Sequence, residues 1–254
     1  MALLEASNIG KRFGGLEALT DVALTIERGE IYGLIGPNGA GKTTFFNVLT
    51  GFYRADRGAF MFDGAPLDIT APHEVAAAGI ARTFQNIRLF GNMTALENVM
   101  VGRHVRTQAG VLGAVFRTRR TRAEERAIHA HALRLLEYVG VASRQHDPAR
   151  ILSYGDQRRL EIARALATDP KLLALDEPAA GMNATETATL KGLLERIRGD
   201  GTTILLIEHD VKLVMGLCDR VAVLDYGRKI AEGAPAAVQS DPGVIAAYLG
   251  GAIA

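Results

Sequence analysis

The sequence predicts an α/β fold, and three observations carry that prediction. Apolar runs alternate with helix-like segments along the chain. Two of these runs, "KLLALD" and "TTILLIE", are apolar at nearly every position, the mark of central parallel strands covered on both faces. A glycine-rich stretch, "GPNGAGKTT" at 36–44, stands between an apolar strand and a helix.

Taken in order, residues 3–9, 19–26 and 30–35 read as strands, followed by a helix over about 42–50. Further strands are expected near 59–62, 80–84, 171–176, 202–207 and 220–225. Between about 88 and 165 strand-like runs give way to Ala, Arg and Glu, with helical periodicity in "AEERAIHAHALRLLEYVG". That section is expected to be a helical insertion. The expected organisation is a single domain over 1–254: a core of 1–87 and 166–233, a helical subdomain of 88–165, and a C-terminal helical tail of 234–254.

Composition narrows the class of function. The 254 residues are 48% hydrophobic, enough to bury a sizeable core, and 29 basic against 28 acidic residues leave a net charge of +1. That balance argues against nucleic acid as a partner. One cysteine, Cys218, forms no internal disulfide, and "MALLEASNIGKRF" lacks the pattern of a secretory signal. No apolar run approaches the roughly 20 residues of a membrane-spanning helix. The expected location is cytoplasmic, with any membrane role borrowed from a partner.

Gly36-Pro37-Asn38-Gly39-Ala40-Gly41-Lys42-Thr43-Thr44 satisfies the GxxxxGK[ST] phosphate-loop pattern, with "EIYGLI" before it and "TTFFNVLTG" after it. Glycines let the backbone curl round phosphates, and the following helix points its positive end at them. Lys42 is placed to reach β- and γ-phosphates, and the Thr43 hydroxyl to ligate Mg²⁺. With such a loop upstream, the run ending in Asp176-Glu177 reads as a second nucleotide strand. Asp176 would serve the Mg²⁺ shell, and Glu177 the water beyond the γ-phosphate.

Leu152-Ser153-Tyr154-Gly155-Asp156-Gln157, ahead of "LEIARALATD", resembles the signature motif of ABC-type ATPases, with Tyr154 and Asp156 departing from its commonest form. Gln85 in "ARTFQNIRLF" is similar to that family's Q-loop glutamine, and His209 in "LLIEHDV" to its switch histidine. The resemblance covers nearly the whole chain. It implies a P-loop NTPase core of ABC type with an N-terminal antiparallel β region, binding ATP and Mg²⁺, with Phe13 in the adenine-stacking position. Glu177, His209 and Gln85 take catalytic roles on this reading, and Thr43, Gln85 and Asp176 are the metal residues. Ser153, Gly155 and Asp156 are implied to face the γ-phosphate of a second subunit in a head-to-tail dimer.

"EPAAGMN", with Asn183 where many relatives have aspartate, together with "LSYGDQRRLEIAR" and "PGVIAAYLGG", narrows the resemblance to LivG-type ATP-binding subunits of branched-chain amino-acid importers. Urea or amide importers, lipopolysaccharide exporters and soluble non-transport ABC ATPases are the alternatives. An importer implies two transmembrane permease subunits, a sister ATPase or a second copy, an external solute-binding protein, and a peripheral place on the cytoplasmic face of the inner membrane. Residues 86–98 are the expected docking surface. The basic run from Arg117 to Arg122 reads as a solvated helix start, with anionic lipid as the other possibility.

Overall fold

A computed structural model describes residues 1–69, 71–107 and 119–250. Chain order begins with β1 (Ala2–Phe13), β2 (Leu16–Glu27), β3 (Ile31–Ile35), α1 (Lys42–Leu49), β4 (Arg57–Phe62) and β5 (Ala65–Leu67). It continues with α2 (Pro72–Ala78), β6 (Ile80–Arg82), α3 (Ala95–Gly102), α4 (Arg119–Tyr138), α5 (Tyr154–Leu166) and β7 (Leu172–Asp176). Then come α6 (Ala184–Gly199), β8 (Thr203–Ile207), α7 (Val211–Met215), β9 (Arg220–Asp225), β10 (Arg228–Gly233), α8 (Pro235–Gln239) and α9 (Pro242–Gly250).

The strands form two sheets. The first is antiparallel, in the order β2-β1-β4-β5. The second runs β10-β9-β3-β8-β7-β6, parallel except for the edge strand β10. Every residue of β3, β7 and β8 is buried, because this sheet is covered on both faces. Alternation along the strands sorts side chains between two cores. Leu172, Ala174, Leu205 and Ile207 face a core shared with the first sheet and with Phe45 and Phe46 of α1. Leu173, Leu175, Ile204 and Leu206 face the opposite core, with Leu160 and Ile162 of α5 and Leu190 and Leu194 of α6.

Between β6 and β7, α3 packs against α4 and α5. A capping box starts α3: Thr94 accepts from the Glu97 amide, and the Glu97 carboxylate accepts from the Thr94 amide at 2.8 Å. Asn183 caps α6 in the same way, its Oδ1 accepting from the amides of Thr185 and Glu186 at 3.0 Å each. Within the basic run, Arg117 and Thr118 lie outside the described residues. Arg119, Arg120 and Arg122 are exposed on the first turn of α4, and Thr121 is buried. The tail carries α8 and α9, and residues 251–254 lie outside the description.

Candidate nucleotide site

The phosphate loop follows β3 directly, in the middle of the parallel sheet. At Gly36, φ is 151° and a Cβ would lie 2.1 Å from the Leu224 carbonyl oxygen, so the loop can pass β9 only with glycine there. Gly41, at φ 101°, is the N-cap of α1, and no side chain caps that helix or places an acid in its first turn. Its first amides are therefore left for an anion, with the helix dipole behind them. Lys42 is buried and donates through Nζ to the carbonyls of Gly36 at 2.6 Å and Pro37 at 2.9 Å. Burial lowers its pKa, opposed by the nearby carboxylates of Glu177 and Asp176.

A cavity of about 510 Å³ opens over this loop, lined by Asn38, Gly39, Ala40, Gly41, Lys42, Thr43 and Thr44. Its size falls within the roughly 300–1,000 Å³ of small-ligand pockets. Phe13 stands on one wall, at the tip of the β1–β2 hairpin, with its ring edge-on to Tyr53 at 5.2 Å. Gln85 and Glu177 also line the cavity. Glycine-enforced curvature, uncapped amides and a buried lysine suit a polyphosphate, and the Thr43 hydroxyl and Asp176 carboxylate are oxygen donors of the kind Mg²⁺ takes.

β7 delivers the acid pair. Asp176, 3% exposed, ends the strand, and burial raises its carboxyl above the ordinary range while Arg82 at 3.5 Å pulls it back down. Glu177 follows at φ 47°, its amide donating to the Ile207 carbonyl of β8 at 2.8 Å. A non-glycine residue in the left-handed region is held there by its surroundings. Its Oε2 accepts from Gln85 Nε2 at 2.9 Å, and His209 Nδ1 stands 3.5 Å from the same oxygen. Three residues far apart in sequence thus meet at one carboxylate oxygen.

Ser153, Gly155 and Asp156 are elsewhere. Ser153 caps α5, accepting from the Asp156 amide at 3.2 Å and donating to Asp156 Oδ2 at 2.8 Å. Asp156 is further paired with Arg159. None of the three lines the cavity over the phosphate loop.

Sequence reasoning passed over Arg82. Its guanidinium lies 4.5 to 4.9 Å from the ring centres of Phe46, Phe84 and Phe52, and it donates to Asn47 at 2.7 Å and Thr50 at 2.8 Å. Its only local signal was an arginine inside an apolar strand. Tyr226 was also missed: it is 86% exposed, sits at φ 43° and lines the cavity rim.

A phosphate loop on one parallel strand and an acid pair on another, with a helical layer between β6 and β7, define a nucleotide-hydrolysing cassette. The sequence pattern of the family described as "ABC transporter" matches residues 19–180, and the chain belongs to that family as an ATP-binding-cassette ATPase. Residues 228–254 match a second pattern, described as "Branched-chain amino acid ATP-binding cassette transporter". The chain is 45% identical to the high-affinity branched-chain amino acid transport ATP-binding proteins BraF of Pseudomonas aeruginosa and LivG of Escherichia coli, covering 98% of each chain. The lipopolysaccharide export ATP-binding protein LptB of Haemophilus influenzae is more distant, at 34% over 98% of each. A crystal structure of the ADP conformation of an ABC-transporter cassette superposes with a TM-score of 0.85, at 34% identity over 98% of this chain and 99% of that one. Among the described residues, no helix is long and apolar enough to cross a membrane.

Proposed function

We propose that this chain is the ATP-hydrolysing subunit of an importer of branched-chain or other hydrophobic amino acids, seated on the cytoplasmic face of the inner membrane. The observation that carries the catalytic part is the meeting of Gln85 and His209 at Glu177, across one cavity from Lys42. The names of the 45%-identical relatives and the C-terminal family match support the transport part.

In this reading Phe13 stacks on adenine, and the amides of Gly39 to Thr44 with Lys42 hold the phosphates. Thr43, Asp176 and Gln85 would hold Mg²⁺, which would supply neutralisation of the phosphate charge. Glu177 takes a proton from the attacking water as its oxygen bonds to the γ-phosphorus and ADP leaves. His209 and Gln85 orient Glu177 and that water. Ser153, Gly155 and Asp156, apart from the chain's own cavity, complete the site of a facing ATPase, either a second copy or a sister subunit. Two permease subunits and an external binding protein make up the rest of the machine, with 86–98 as the docking segment. The core of 1–87 and 166–233, the helical subdomain of 88–165 and the tail of 234–254 are the working parts of the chain.

Purification from native membranes in mild detergent tests the transport assignment. Two polytopic permeases, a related ATPase and an amino-acid-binding protein are the expected companions. Recovery in the soluble fraction with ribosomal or DNA-repair proteins would overturn it. Nucleotide titrations separate the residue roles. Lys42→Ala loses ATP binding, whereas Glu177→Gln keeps binding and loses hydrolysis, and equal loss of binding in both would refute the division.

A further inference from the structure

The segment carrying Gln85 is held by two bodies. Up to Thr83 the main chain belongs to the parallel sheet: the Thr83 amide donates to Ala174 of β7 at 3.0 Å. From Phe84 onward it belongs to α5. Arg158 donates through Nη1 to the Phe84 carbonyl at 2.6 Å and through Nη2 to the Gln85 carbonyl. One turn on, Glu161 accepts from the Arg88 amide at 3.2 Å, and a turn beyond that Arg164 donates to the Arg88 carbonyl at 2.6 Å. Positions 158, 161 and 164 recur at helical spacing, so one face of α5 grips this strip by its backbone.

Arg158 is the centre of that grip. It is 2% exposed, and a buried guanidinium persists only where its donors are used. Besides the two carbonyls it reaches the Tyr154 hydroxyl from Nε at 3.2 Å and Nη2 at 2.9 Å, and it stands 3.5 Å from Glu161. Tyr154 lies directly after the α5 cap Ser153. The Phe84 ring still packs against Phe52 and Arg82 of the core, so the handover from sheet to helix falls at that residue.

We propose that Arg158 is a positioning residue that fixes the Gln85 main chain to the helix headed by Ser153, so that the amide reaching Glu177 follows that helix. The inference rests on the roles given above to Gln85 and Glu177. Its consequence is directional: displacing α5 moves the Gln85 backbone, and with it the donor to Glu177 Oε2, without disturbing the phosphate loop. A lysine at 158 keeps the charge but lacks the planar fork that serves two carbonyls and a hydroxyl together.

The test is a kinetic cycle on the full chain with Arg158→Lys, Gln85→Ala and their double variant, and Tyr154→Phe as a milder change that leaves the charge paired with Glu161. Misplacement of a group at the reaction centre by an ångström costs up to about 100-fold, so Arg158→Lys is expected to lower kcat about tenfold. KM and the affinity for a fluorescent ATP analogue should stay within about twofold. Tyr154→Phe should lower kcat in the same direction by less. The double variant should be no slower than Gln85→Ala alone, because both act through one side chain. Losses that multiply in the double variant, or full turnover in both Arg158→Lys and Tyr154→Phe, would sink the proposal. Full turnover in Gln85→Ala would instead overturn the role of Gln85 itself, and this inference with it.

Discussion

Replacing Arg82 with methionine is the most informative single change at the site. Methionine fills similar space and keeps contact with the rings of Phe46, Phe52 and Phe84, but removes the charge and every donor. The change strips Asp176 of the cation at 3.5 Å and leaves Asn47 and Thr50 without the hydrogen bonds of 2.7 and 2.8 Å. Both charged side chains are largely buried, 11% exposed for Arg82 and 5% for Asp176. Removing one member of a buried pair costs about 3–5 kcal/mol. For a chain of this size, that lowers the melting temperature by about 6–20 °C. Nucleotide binding supplies a second readout. Burial already raises the Asp176 carboxyl, and Arg82 is the first force opposing it. Loss of Arg82 raises it further. Asp176 can serve Mg²⁺ only when ionised, so its contribution is present above the raised pKa and disappears as pH falls through it. Mg²⁺-dependent ATP affinity measured by fluorescence titration from pH 8 to pH 5 should therefore fail at higher pH in the variant than in the parent. A melting temperature within 3 °C of the parent, with an unchanged pH profile, would refute the view that Arg82 holds this carboxylate.

Gly36→Ala, whose Cβ would meet the Leu224 carbonyl at 2.1 Å, should lower the melting temperature and abolish ATP binding. Gly39→Ala, with φ 82° but open space, should cost only about 1–2 kcal/mol of backbone strain, and equal effects in a thermal scan would contradict this contrast. Phe13→Ala removes a 42%-exposed ring and should leave the melting temperature nearly unchanged. On the adenine-stacking role proposed for it, worth about 1–3 kcal/mol, its loss should weaken ATP binding by about 5- to 150-fold, measurable by calorimetry. Burial pushes the Cys218 thiol up to about 12, so a disulfide reagent at pH 8 should label it only after denaturation; rapid labelling of the native chain would be the contrary result.

The parallel strands were legible because burial on both faces leaves no room for polar positions: β7 and β8 stand where "KLLALD" and "TTILLIE" put them. The phosphate loop was legible because its glycines answer to local backbone geometry and its lysine to one ligand. β5 was not, since its three residues are mostly exposed and carry no apolar pattern. Arg82 and Arg158 were beyond sequence reasoning for a related reason. An arginine in a strand or helix reads as a surface charge until tertiary structure shows that three rings surround one guanidinium and two carbonyls receive the other. Gln85 and His209 were found by family resemblance, because only the fold brings both to one carboxylate oxygen.

The strand order β3-β8-β7 has a consequence for how the protein is made. The phosphate loop and the acid pair are two strands apart, and the strand between them, Thr203–Ile207, follows both in sequence. A chain emerging from the ribosome N-terminus first has residues 36–44 long before it has the spacer that sets their distance from Asp176. Until β8 inserts, β3 and β7 have no fixed separation, and the edge of each that β8 covers stays unpaired. Nucleotide therefore has nothing complete to bind on the unfinished chain, and the pairing that sets the spacing of the site also covers one edge of each strand that carries it.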